Sequence, residues 1–310
     1  NLVFKNLVNA ALYVINKNAL ANCGTITGFL DFARDIFPAM LNNSYKMGGY
    51  ISVEYIKDMG TPERYEKVNS NYNAGVHLAL SNDQSKKAIF LDRDGTLNTL
   101  NGYISSPDQI DLIEGVSEAI CKLNESGFLS ICITNQPVVA RGEVTISELK
   151  VINDKLENLL GQNSAYLDGI YFCPHHPDSG FIGEVASLKF NCNCRKPNTG
   201  MIERAIKDFG IDREHSWFIG DSTSDVKAGK NAGLKTILVL TGLAGGDGKF
   251  SCHPDYVFQD LNEAVGWVVS GRTKVLKKIA NYLPAIFDSR VILIGGLARS
   301  GKTTFTSALV

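Results

Sequence analysis

Short apolar runs, each ending at a polar side chain, recur along the middle of this chain and constrain its fold more than any other feature. Three of them end, in chain order, at Asp92, Thr134 and Asp221. Helical patterns lie between the runs, and strands that alternate with helices predict βαβ units and a parallel sheet covered on both faces. Because ligands bind outside the carboxyl ends of the strands in such sheets, we expect these three side chains to share one crevice.

The expected fold class is therefore α/β, with a Rossmann-like parallel sheet and helices on both of its faces. The predicted strands are five apolar runs, at 88–91, 128–133, 217–219, 235–240 and 256–258. One helix start is also well defined, because Thr145 and Glu148 form a capping-box pattern. Apolar residues follow this pattern at helical spacing, at Ile146, Leu149, Ile152, Leu156 and Leu159.

Composition narrows the class of protein. The 310 residues carry a net charge of −1 and are 44% hydrophobic, which is typical of globular domains. The near-zero charge argues against a nucleic-acid partner, and no apolar run is long enough to span a membrane. The chain begins at Asn1 without a visible signal peptide, so we expect a cytoplasmic protein and a piece of a longer chain. Its seven cysteines, an odd number, argue against a disulfide framework.

Two carboxylates follow the first predicted strand, in the segment Asp92-Arg-Asp94-Gly95. The carboxylate of Asp92 can attack phosphorus and form an aspartyl phosphate. Asp94 can protonate the leaving oxygen and then deprotonate the attacking water. Gly95 allows a sharp turn of the chain beside a ligand. Taken alone, the segment also fits a structural turn or a calcium-binding loop.

Further along the chain stand the other groups that phosphoryl transfer requires. The reaction needs a magnesium clamp and positive charge on the phosphate oxygens besides its nucleophile and acid. Thr134 supplies a hydroxyl at a strand end, and Arg195 and Lys196 supply two adjacent cations. Asp221 and Asp225 supply carboxylates after a third strand. The combination predicts a phosphoryl-transfer site.

In this order, the four segments resemble the four motifs of the haloacid dehalogenase superfamily. The resemblance implies a Rossmann-like sheet with Asp92 as nucleophile and Asp94 as acid and base. It also implies that Thr134 and Lys196 bind the transferred phosphate. The absence of a long insertion between Thr96 and Thr134 predicts a minimal cap.

Magnesium is the cofactor that this resemblance implies. Its ligands would be Asp92, the backbone carbonyl of Asp94, and Asp221. Asp225 matches the second carboxylate of the fourth motif, and we expect it to orient its neighbours rather than bind the metal.

A closer resemblance links residues 87–245 to the D-glycero-D-manno-heptose 1,7-bisphosphate phosphatases. It is carried by the segments 90–98, 134–142, 173–177 and 192–201. It implies a sugar phosphate as the small-molecule substrate, with Asn135, Gln136 and Arg141 as substrate ligands and Arg195 on the phosphate that is not transferred. The residues 137–139 (Pro-Val-Val) depart from the family pattern beside Arg141.

Two metal-ligand pairs, Cys173-x-His175 and Cys192-x-Cys194, are separated by 16 residues. Three thiolates and one imidazole form a closed tetrahedral set, which is typical of structural zinc. His176 is an alternative ligand, but His175 matches the family position and mirrors the spacing of the second pair. We therefore expect a zinc-stabilised loop that leads directly into the cations at 195 and 196.

The two ends of the chain resemble other families. Residues 1–84 are similar to the C-terminal part of a sugar-1-phosphate nucleotidyltransferase, in which the position of Asp58 binds catalytic magnesium. This piece lacks the glycine-rich nucleotide loop and is expected to be inactive alone. Residues 271–289 predict a basic linker helix after the phosphatase at 87–270. Residues 290–310 contain the P-loop pattern of a truncated kinase-like domain, with Gly296, Gly301, Lys302 and Thr303.

The leading functional hypothesis is hydrolysis of the C7 phosphate of heptose 1,7-bisphosphate, in the biosynthesis of a nucleotide-activated heptose by a multifunctional chain. One alternative is a polynucleotide 3′-phosphatase fused to a 5′-kinase, a family that also places a P-loop after a phosphatase. A second is histidinol phosphatase, which shares the zinc-loop pattern. A third is an inactive scaffold module, against which the intact Asp92 and Asp94 argue.

Overall fold

A computed structural model describes residues 9–21 and 28–271 of the chain. Its six parallel strands form one sheet in the order β3-β2-β1-β4-β5-β6. The strands are β1 (Lys87–Leu91), β2 (Phe128–Asn135), β3 (Gly169–Cys173), β4 (Trp217–Gly220), β5 (Lys235–Val239) and β6 (Tyr256–Phe258). All five predicted runs are strands, and β3 is additional to them. The predicted α/β class is thereby confirmed.

Strand order places a crevice at the centre of the sheet. From β1 the sheet grows in one direction through β2 and β3 and in the other through β4, β5 and β6. A ligand crevice forms where the direction reverses, at the carboxyl ends of β1 and β4. Asp92 follows β1 and Asp221 follows β4, so both lie at this reversal.

Helices cover both faces of the sheet. The helices of the sheet unit are α3 (Pro62–Asn73), α4 (Val76–Ala79), α5 (Val116–Glu125), α6 (Ile146–Gly161), α7 (Gly200–Phe209), α8 (Thr223–Asn231) and α9 (Leu261–Val269). Two short helices, α1 (Lys17–Ala21) and α2 (Phe37–Asn42), belong to a separate unit. Single turns of 3-10 helix lie at Pro107–Gln109 and Ala186–Leu188, and a π-helical turn lies at Phe32–Ile36. Between β1 and β2 the chain has only the first of these 3-10 turns and α5, in agreement with a minimal cap.

Alternation along β1 shows how the two faces are filled. Ile89 and Leu91 belong to the main hydrophobic core with residues of α5, α6 and α9. Phe90 points to the opposite face and stacks on Phe218, with ring centroids 6.4 Å apart. A strand that is buried on both faces needs such a continuous apolar run. In β1 the run ends at Leu91, and the polar Asp92 follows it.

The predicted capping box of α6 is present. The Thr145 hydroxyl accepts a hydrogen bond from the Glu148 N–H at 3.1 Å, and the Glu148 carboxylate accepts one from the Thr145 N–H at 2.7 Å. The apolar stripe of α6 is buried at Leu149, Ile152 and Leu156, as predicted. Ile146 differs from the prediction, since it is exposed in the first turn of the helix.

Two compact units divide the described chain between Ile56 and Lys57. The boundary predicted from the sequence lies at 84–87 instead. The two boundaries differ because the segment around α4 is packed into the sheet unit, where Val76 and Leu80 are buried. A Cβ atom at Gly127 would lie 2.8 Å from the Ala79 Cβ, so this segment packs tightly against the end of α5. The segment 57–84 therefore belongs with the sheet.

The smaller unit has its own aromatic contacts. The rings of Tyr13 and Phe37 meet edge to face at 4.7 Å, and Tyr13 also contacts Phe32. The Asp31 carboxylate caps the helical turn that follows by accepting from two backbone N–H groups. Its assignment to a nucleotidyltransferase stays a prediction.

Some predictions fall on parts of the chain that are not described. The linker helix at 271–289 lies almost wholly outside the described residues, and so does the P-loop with Gly296, Gly301, Lys302 and Thr303. None of the helices in the described residues is both long enough and apolar enough to cross a membrane.

Candidate active site

Three carboxylates converge at the reversal of the sheet. One oxygen each of Asp92, Asp221 and Asp225 lies within 4.8 Å of the others. Asp92 and Asp221 come from the ends of β1 and β4, and Asp225 comes from the first turn of α8. The topology that the sequence predicted therefore brings these distant residues together.

Lys196 joins two of these carboxylates. Its ammonium nitrogen lies 2.7 Å from Asp92 Oδ1 and 2.7 Å from Asp225 Oδ1, and it donates to the Ile133 carbonyl at 2.8 Å. The other oxygen of Asp225 accepts from the Ser222 N–H and hydroxyl. Asp225 is thus saturated by protein donors, which fits its expected role of orienting its neighbours.

Burial and charge act in opposite directions on these groups. Burial disfavours the Lys196 ammonium, but the carboxylates of Asp225 and Asp92 raise its pKa above the usual value. Burial, with the nearby Asp225 charge, raises the pKa of Asp92 well above its usual range. The same two causes raise the pKa of Asp221 to about 7. Cations beside these buried carboxylates would stabilise their charged forms.

The backbone of Lys196 is fixed by Asn135 at the end of β2. The Asn135 carboxamide donates to the Lys196 carbonyl at 3.1 Å and accepts from the Lys196 N–H at 2.9 Å. β2 runs two residues beyond its predicted end because Thr134 and Asn135 pair with β3. The carboxamide is thereby engaged within the protein, and a sugar contact by Asn135 stays a prediction.

The carboxylate of Asp94 sits in a set of hydrogen-bond donors. Gln136 donates from Nε2 to Asp94 Oδ2 at 2.9 Å and to the Thr134 hydroxyl at 2.8 Å. Asn98 donates to Asp94 Oδ1 at 3.1 Å. Arg93 forms an ion pair with the same carboxylate at 3.0 Å. Gln136, predicted as a substrate ligand, thus also contacts the predicted acid and base, and its contact with substrate stays a prediction.

The donor set fits magnesium. Carboxylate oxygens are the ligands that this hard cation prefers, and the Asp92 and Asp221 carboxylates stand close together at the crevice. A backbone hydrogen bond holds the Asp221 carboxylate, whose Oδ2 accepts from the Leu243 N–H at 2.7 Å. A Cβ atom at Gly95 or Gly242 would lie 2.2 or 2.1 Å from that oxygen, so only glycine fits at either position.

Four predicted zinc ligands also come together. The Sγ atoms of Cys173, Cys192 and Cys194 lie 3.1 to 3.4 Å from one another, and His175 Nδ1 lies 3.2 Å from Cys194 Sγ. All three cysteines are free thiols. His176 turns away, since its Nδ1 accepts from the Asp178 N–H at 3.2 Å. The set matches the composition of a structural zinc site.

The metal-ligand cluster is linked directly to the neighbouring cations. The Arg195 N–H donates to Cys192 Sγ at 3.3 Å, and the Arg195 guanidinium donates to the His175 carbonyl at 3.3 Å. Lys196 follows immediately in the chain. Ordering of this loop therefore positions both cations beside the crevice.

Two aromatic rings hold the guanidinium of Arg141. It lies 3.9 Å from the ring centroid of Tyr103 and 4.4 Å from that of Phe181, and it donates to the Tyr103 hydroxyl at 3.0 Å. Contact with two aromatic rings restricts a guanidinium while its edge can still bind an anion. Tyr103 and Phe181 were not identified from the sequence, because both lie in loops without a periodic pattern.

Arg93 and Asn153 were also not identified from the sequence. Arg93 stands between the two motif aspartates and is fully buried. Asn153 is a buried polar residue on the apolar face of α6. A polar side chain within an apolar helical stripe was the available signal for it.

Side chains that could hold a metal ion gather in two places in the described part of the chain. Of groups with three or more Cys, His, Asp or Glu side chains, the described ranges hold the carboxylate cluster and the cysteine–histidine cluster. Asp58, the magnesium position suggested by the nucleotidyltransferase resemblance, is in neither and instead pairs with Arg64.

Comparison with known proteins places the geometry in a family. Residues 193–264 match the HAD-hydrolase-like family model. A D-glycero-β-D-manno-heptose-1,7-bisphosphate 7-phosphatase of Haemophilus ducreyi is 42% identical over 161 residues, which cover 51% of this chain and 86% of the relative. A D-glycero-D-manno-heptose-1,7-bisphosphate 7-phosphatase of Chlorobaculum tepidum is 40% identical, covering 61% of this chain and 97% of the relative.

A solved structure agrees. The D,D-heptose 1,7-bisphosphate phosphatase of B. bronchiseptica, complexed with magnesium and phosphate, superposes with a TM-score of 0.52 at 31% identity. The match covers 60% of this chain and 99% of that structure.

Proposed function

The chain belongs to the haloacid-dehalogenase-like family of the D-glycero-D-manno-heptose-1,7-bisphosphate 7-phosphatases, and from this premise we propose that it removes the C7 phosphate of heptose 1,7-bisphosphate. It is a phosphoric monoester hydrolase. The observation that carries the proposal is the convergence of Asp92, Lys196 and Asp225 at the sheet reversal, with Asp94 two residues after the nucleophile.

In the first half-reaction, a carboxylate oxygen of Asp92 attacks phosphorus. The bond between phosphorus and the C7 oxygen breaks, and Asp94 gives its proton to that oxygen as it leaves. An aspartyl phosphate on Asp92 and a heptose 1-phosphate result.

In the second half-reaction, Asp94 takes a proton from a water molecule as the water oxygen attacks phosphorus. The bond between phosphorus and the Asp92 oxygen breaks, so inorganic phosphate leaves and the carboxylate returns. Asp94 is then protonated again and ready for the next substrate.

Lys196 supplies positive charge at the reacting phosphate. Its ammonium bridges Asp92 and Asp225, and Asn135 fixes its backbone. When phosphate binds, this cation balances the charge on the phosphate oxygens. The Thr134 hydroxyl is proposed to donate to the same group.

Magnesium, when bound, would supply charge neutralisation between the nucleophile and the phosphate. Asp92 and Asp221 are the side chains proposed to hold it, together with the backbone carbonyl of Asp94. Zinc is proposed to have a structural role only, because Cys173, His175, Cys192 and Cys194 fill a tetrahedral set and leave no open position.

Selectivity for a bisphosphate is attributed to Arg141 and Arg195. A second phosphate needs cations away from the reacting centre, and guanidinium groups bind phosphate through paired hydrogen bonds. The rings of Tyr103 and Phe181 hold Arg141 in place, while Arg195 is held by the metal-ligand loop. Asn135 and Gln136 are proposed to border the sugar.

Further proposals concern the setting of this domain. A cytoplasmic enzyme within a longer multifunctional chain would follow from the sequence resemblances at 1–84 and 290–310. Phosphatase and nucleotidyltransferase are successive steps toward a nucleotide-activated sugar, and that analogy is the support for this setting.

Phosphate release from a panel of substrates tests the proposal. The panel contains both anomers of heptose 1,7-bisphosphate, histidinol phosphate and a 3′-phosphorylated oligonucleotide, each with magnesium. We expect a heptose bisphosphate to give the highest kcat/KM and Asp92→Asn to abolish its turnover. Preferred turnover of the oligonucleotide or of histidinol phosphate would overturn the proposed substrate, and equal rates for Asp92→Asn would overturn the proposed nucleophile.

A further inference from the structure

We propose that Asn153 of α6 is a positioning residue for the reaction, acting through Arg93 to hold the carboxylate of Asp94. This inference rests on the proposed function, in which Asp94 transfers the proton. It assigns a role to a residue outside the four phosphatase motifs.

Arg93 contacts Asp94 with two of its nitrogen atoms. Nε lies 3.1 Å from Asp94 Oδ1, and Nη2 lies 3.0 Å from both carboxylate oxygens. The Arg93 side chain is fully buried, so water does not compete for these bonds. Its position therefore fixes the plane in which the Asp94 carboxylate lies.

The remaining terminal nitrogen of Arg93 depends on Asn153. Arg93 Nη1 donates to Asn153 Oδ1 at 3.0 Å. This contact joins residues 60 positions apart in the chain and ties the first motif to the middle of α6. Without it, Nη1 would be a buried donor with no partner among these groups, which is costly for a charged group.

The surroundings of Asn153 make a packing role a poor explanation. It follows Ile152 and lies on the buried face of α6, with Leu149 and Leu156 one turn away on either side. A leucine has the same number of side-chain heavy atoms and would suit this apolar face better. The carboxamide is therefore explained by its contact with Arg93 and not by the packing of α6.

Proton transfer is sensitive to this kind of positioning. A general acid must lie within hydrogen-bond reach of the leaving oxygen and point toward it. Gln136 and Asn98 contact the same carboxylate, but Arg93 is the donor that engages both oxygens. Loss of Asn153 would let Arg93, and with it Asp94, take several orientations.

The test compares two substrates whose leaving groups differ in basicity. A sugar alkoxide needs a proton as it leaves, whereas p-nitrophenolate is a weak base and does not. We expect Asn153→Leu to slow phosphoryl transfer from heptose bisphosphate about tenfold, within the range that general acid catalysis supplies. The rate of p-nitrophenolate release from p-nitrophenyl phosphate should change less than about twofold. Both are measured in single turnover with magnesium.

Two further variants complete the experiment. Asn158→Leu is the matched control, since Asn158 is on the same helix and its carboxamide only donates to the Asp154 carbonyl. Asn153→Asp keeps an oxygen acceptor for Arg93 and should recover most of the lost rate. If Asn153→Leu does not fold, Asn153→Ser replaces it, because serine is too short to reach Arg93.

Equal losses on both substrates would overturn the inference, since they would indicate a general structural effect. Wild-type rates of Asn153→Leu on the heptose bisphosphate would overturn it as well. Failure of the proposed function is a separate result: the wild-type protein would then not turn over the heptose bisphosphate, whatever its rate on p-nitrophenyl phosphate.

Discussion

At the scale of single residues, the stability of the site depends on Lys196. Its ammonium is buried between Asp92 and Asp225, with 2.7 Å contacts to both. Removing one partner of a buried charged pair leaves a charge without compensation, which costs more than any surface ion pair contributes. We therefore expect the same side chain that is proposed to bind the phosphate also to stabilise the fold.

We expect Lys196→Met to lower the free energy of unfolding by about 3–5 kcal/mol, because two enclosed carboxylates lose their shared cation. Urea denaturation at neutral pH measures this. Lys230→Met is the matched control, since Lys230 pairs with Asp255 at the surface and should contribute less than about 1 kcal/mol. A loss below that level for Lys196→Met would contradict the account of the buried cluster.

For Arg141, the expected effect is on substrate preference. Arg141→Leu should raise KM for heptose 1,7-bisphosphate about tenfold or more, because a guanidinium bond to phosphate contributes about 1.5–3 kcal/mol. The KM for p-nitrophenyl phosphate, which has no second phosphate, should stay near the wild-type value. The exposed Arg204 supplies the control variant Arg204→Leu. Parallel increases for both substrates would mean that Arg141 does not bind the second phosphate.

Which site residues could be predicted from the sequence depends on where their partners lie. Asp92 and Asp94 were predictable because their spacing and the preceding strand are local features. Arg93 was visible between them, but its partner Asn153 is 60 positions away and no local rule connects the two. The same applies to Phe181, whose contact with Arg141 depends on how a loop closes.

At the scale of elements, the loop from β3 to α7 carries three of the four proposed zinc ligands, His175, Cys192 and Cys194. Residues 174–199 contain one turn of 3-10 helix and otherwise no regular structure. Few buried apolar side chains support such a loop, so metal binding would contribute much of its stability. Arg195 and Lys196 lie in the last part of this loop.

Cys192→Ser is expected to lose bound zinc and to lower Tm by roughly 10 °C or more, because a structural zinc contributes many kcal/mol to folding. Metal analysis and a thermal melt are the two measurements. Cys121→Ser is the control, since Cys121 lies outside the cluster, is partly buried against the core and donates a hydrogen bond to the Asn163 carbonyl. A Cys192→Ser protein with the zinc content and Tm of the wild type would contradict the structural assignment.

A titratable carboxyl group, that of Asp168, ties the start of the edge strand β3 to β2. Asp168, just before the strand, accepts from the Ser130 N–H at 2.7 Å, and burial raises its pKa to about 7. A carboxyl group whose folded pKa exceeds its unfolded value stabilises the fold at acid pH and loses that contribution as pH rises. The affected window runs from about pH 4 to about pH 7.

Relative to Asp168→Asn, the wild type should therefore lose a few kcal/mol of unfolding free energy between pH 4 and pH 7. Denaturation curves at several pH values measure the difference between the two proteins. Asp108→Asn, at an exposed position, serves as the control and should follow the wild type. A constant difference between wild type and Asp168→Asn across this window would contradict the assignment.

The strand β3 also shows a limit of sequence interpretation. Gly169–Cys173 is short, pairs only with β2 in the described sheet, and is half-buried along most of its length. Such a strand has neither the long apolar run of a central strand nor clear alternation. Its pairing with β2 decides its conformation, and that contact is not local.

At the scale of the whole molecule, alternation of strands and helices predicted the class of fold and the edge of the sheet where the site lies. Strand order was not predictable in the same way, because it depends on which distant strands pair. The division between the two compact units, between residues 56 and 57, also differs from the predicted boundary at 84–87, since α3 and α4 carry no local signal that they join the sheet domain. Periodicity reports burial, whereas order and boundaries depend on long-range packing.

The most direct test of the central claim is to locate the transferred phosphate. The protein is mixed with heptose 1,7-bisphosphate and magnesium, quenched in acid within one turnover, and mapped by peptide mass spectrometry. The account predicts an acyl phosphate on Asp92, heptose 1-phosphate as product, and a loss of kcat by about a thousandfold or more in Asp92→Asn. A phosphoryl group on another residue, or wild-type turnover by Asp92→Asn, would contradict it.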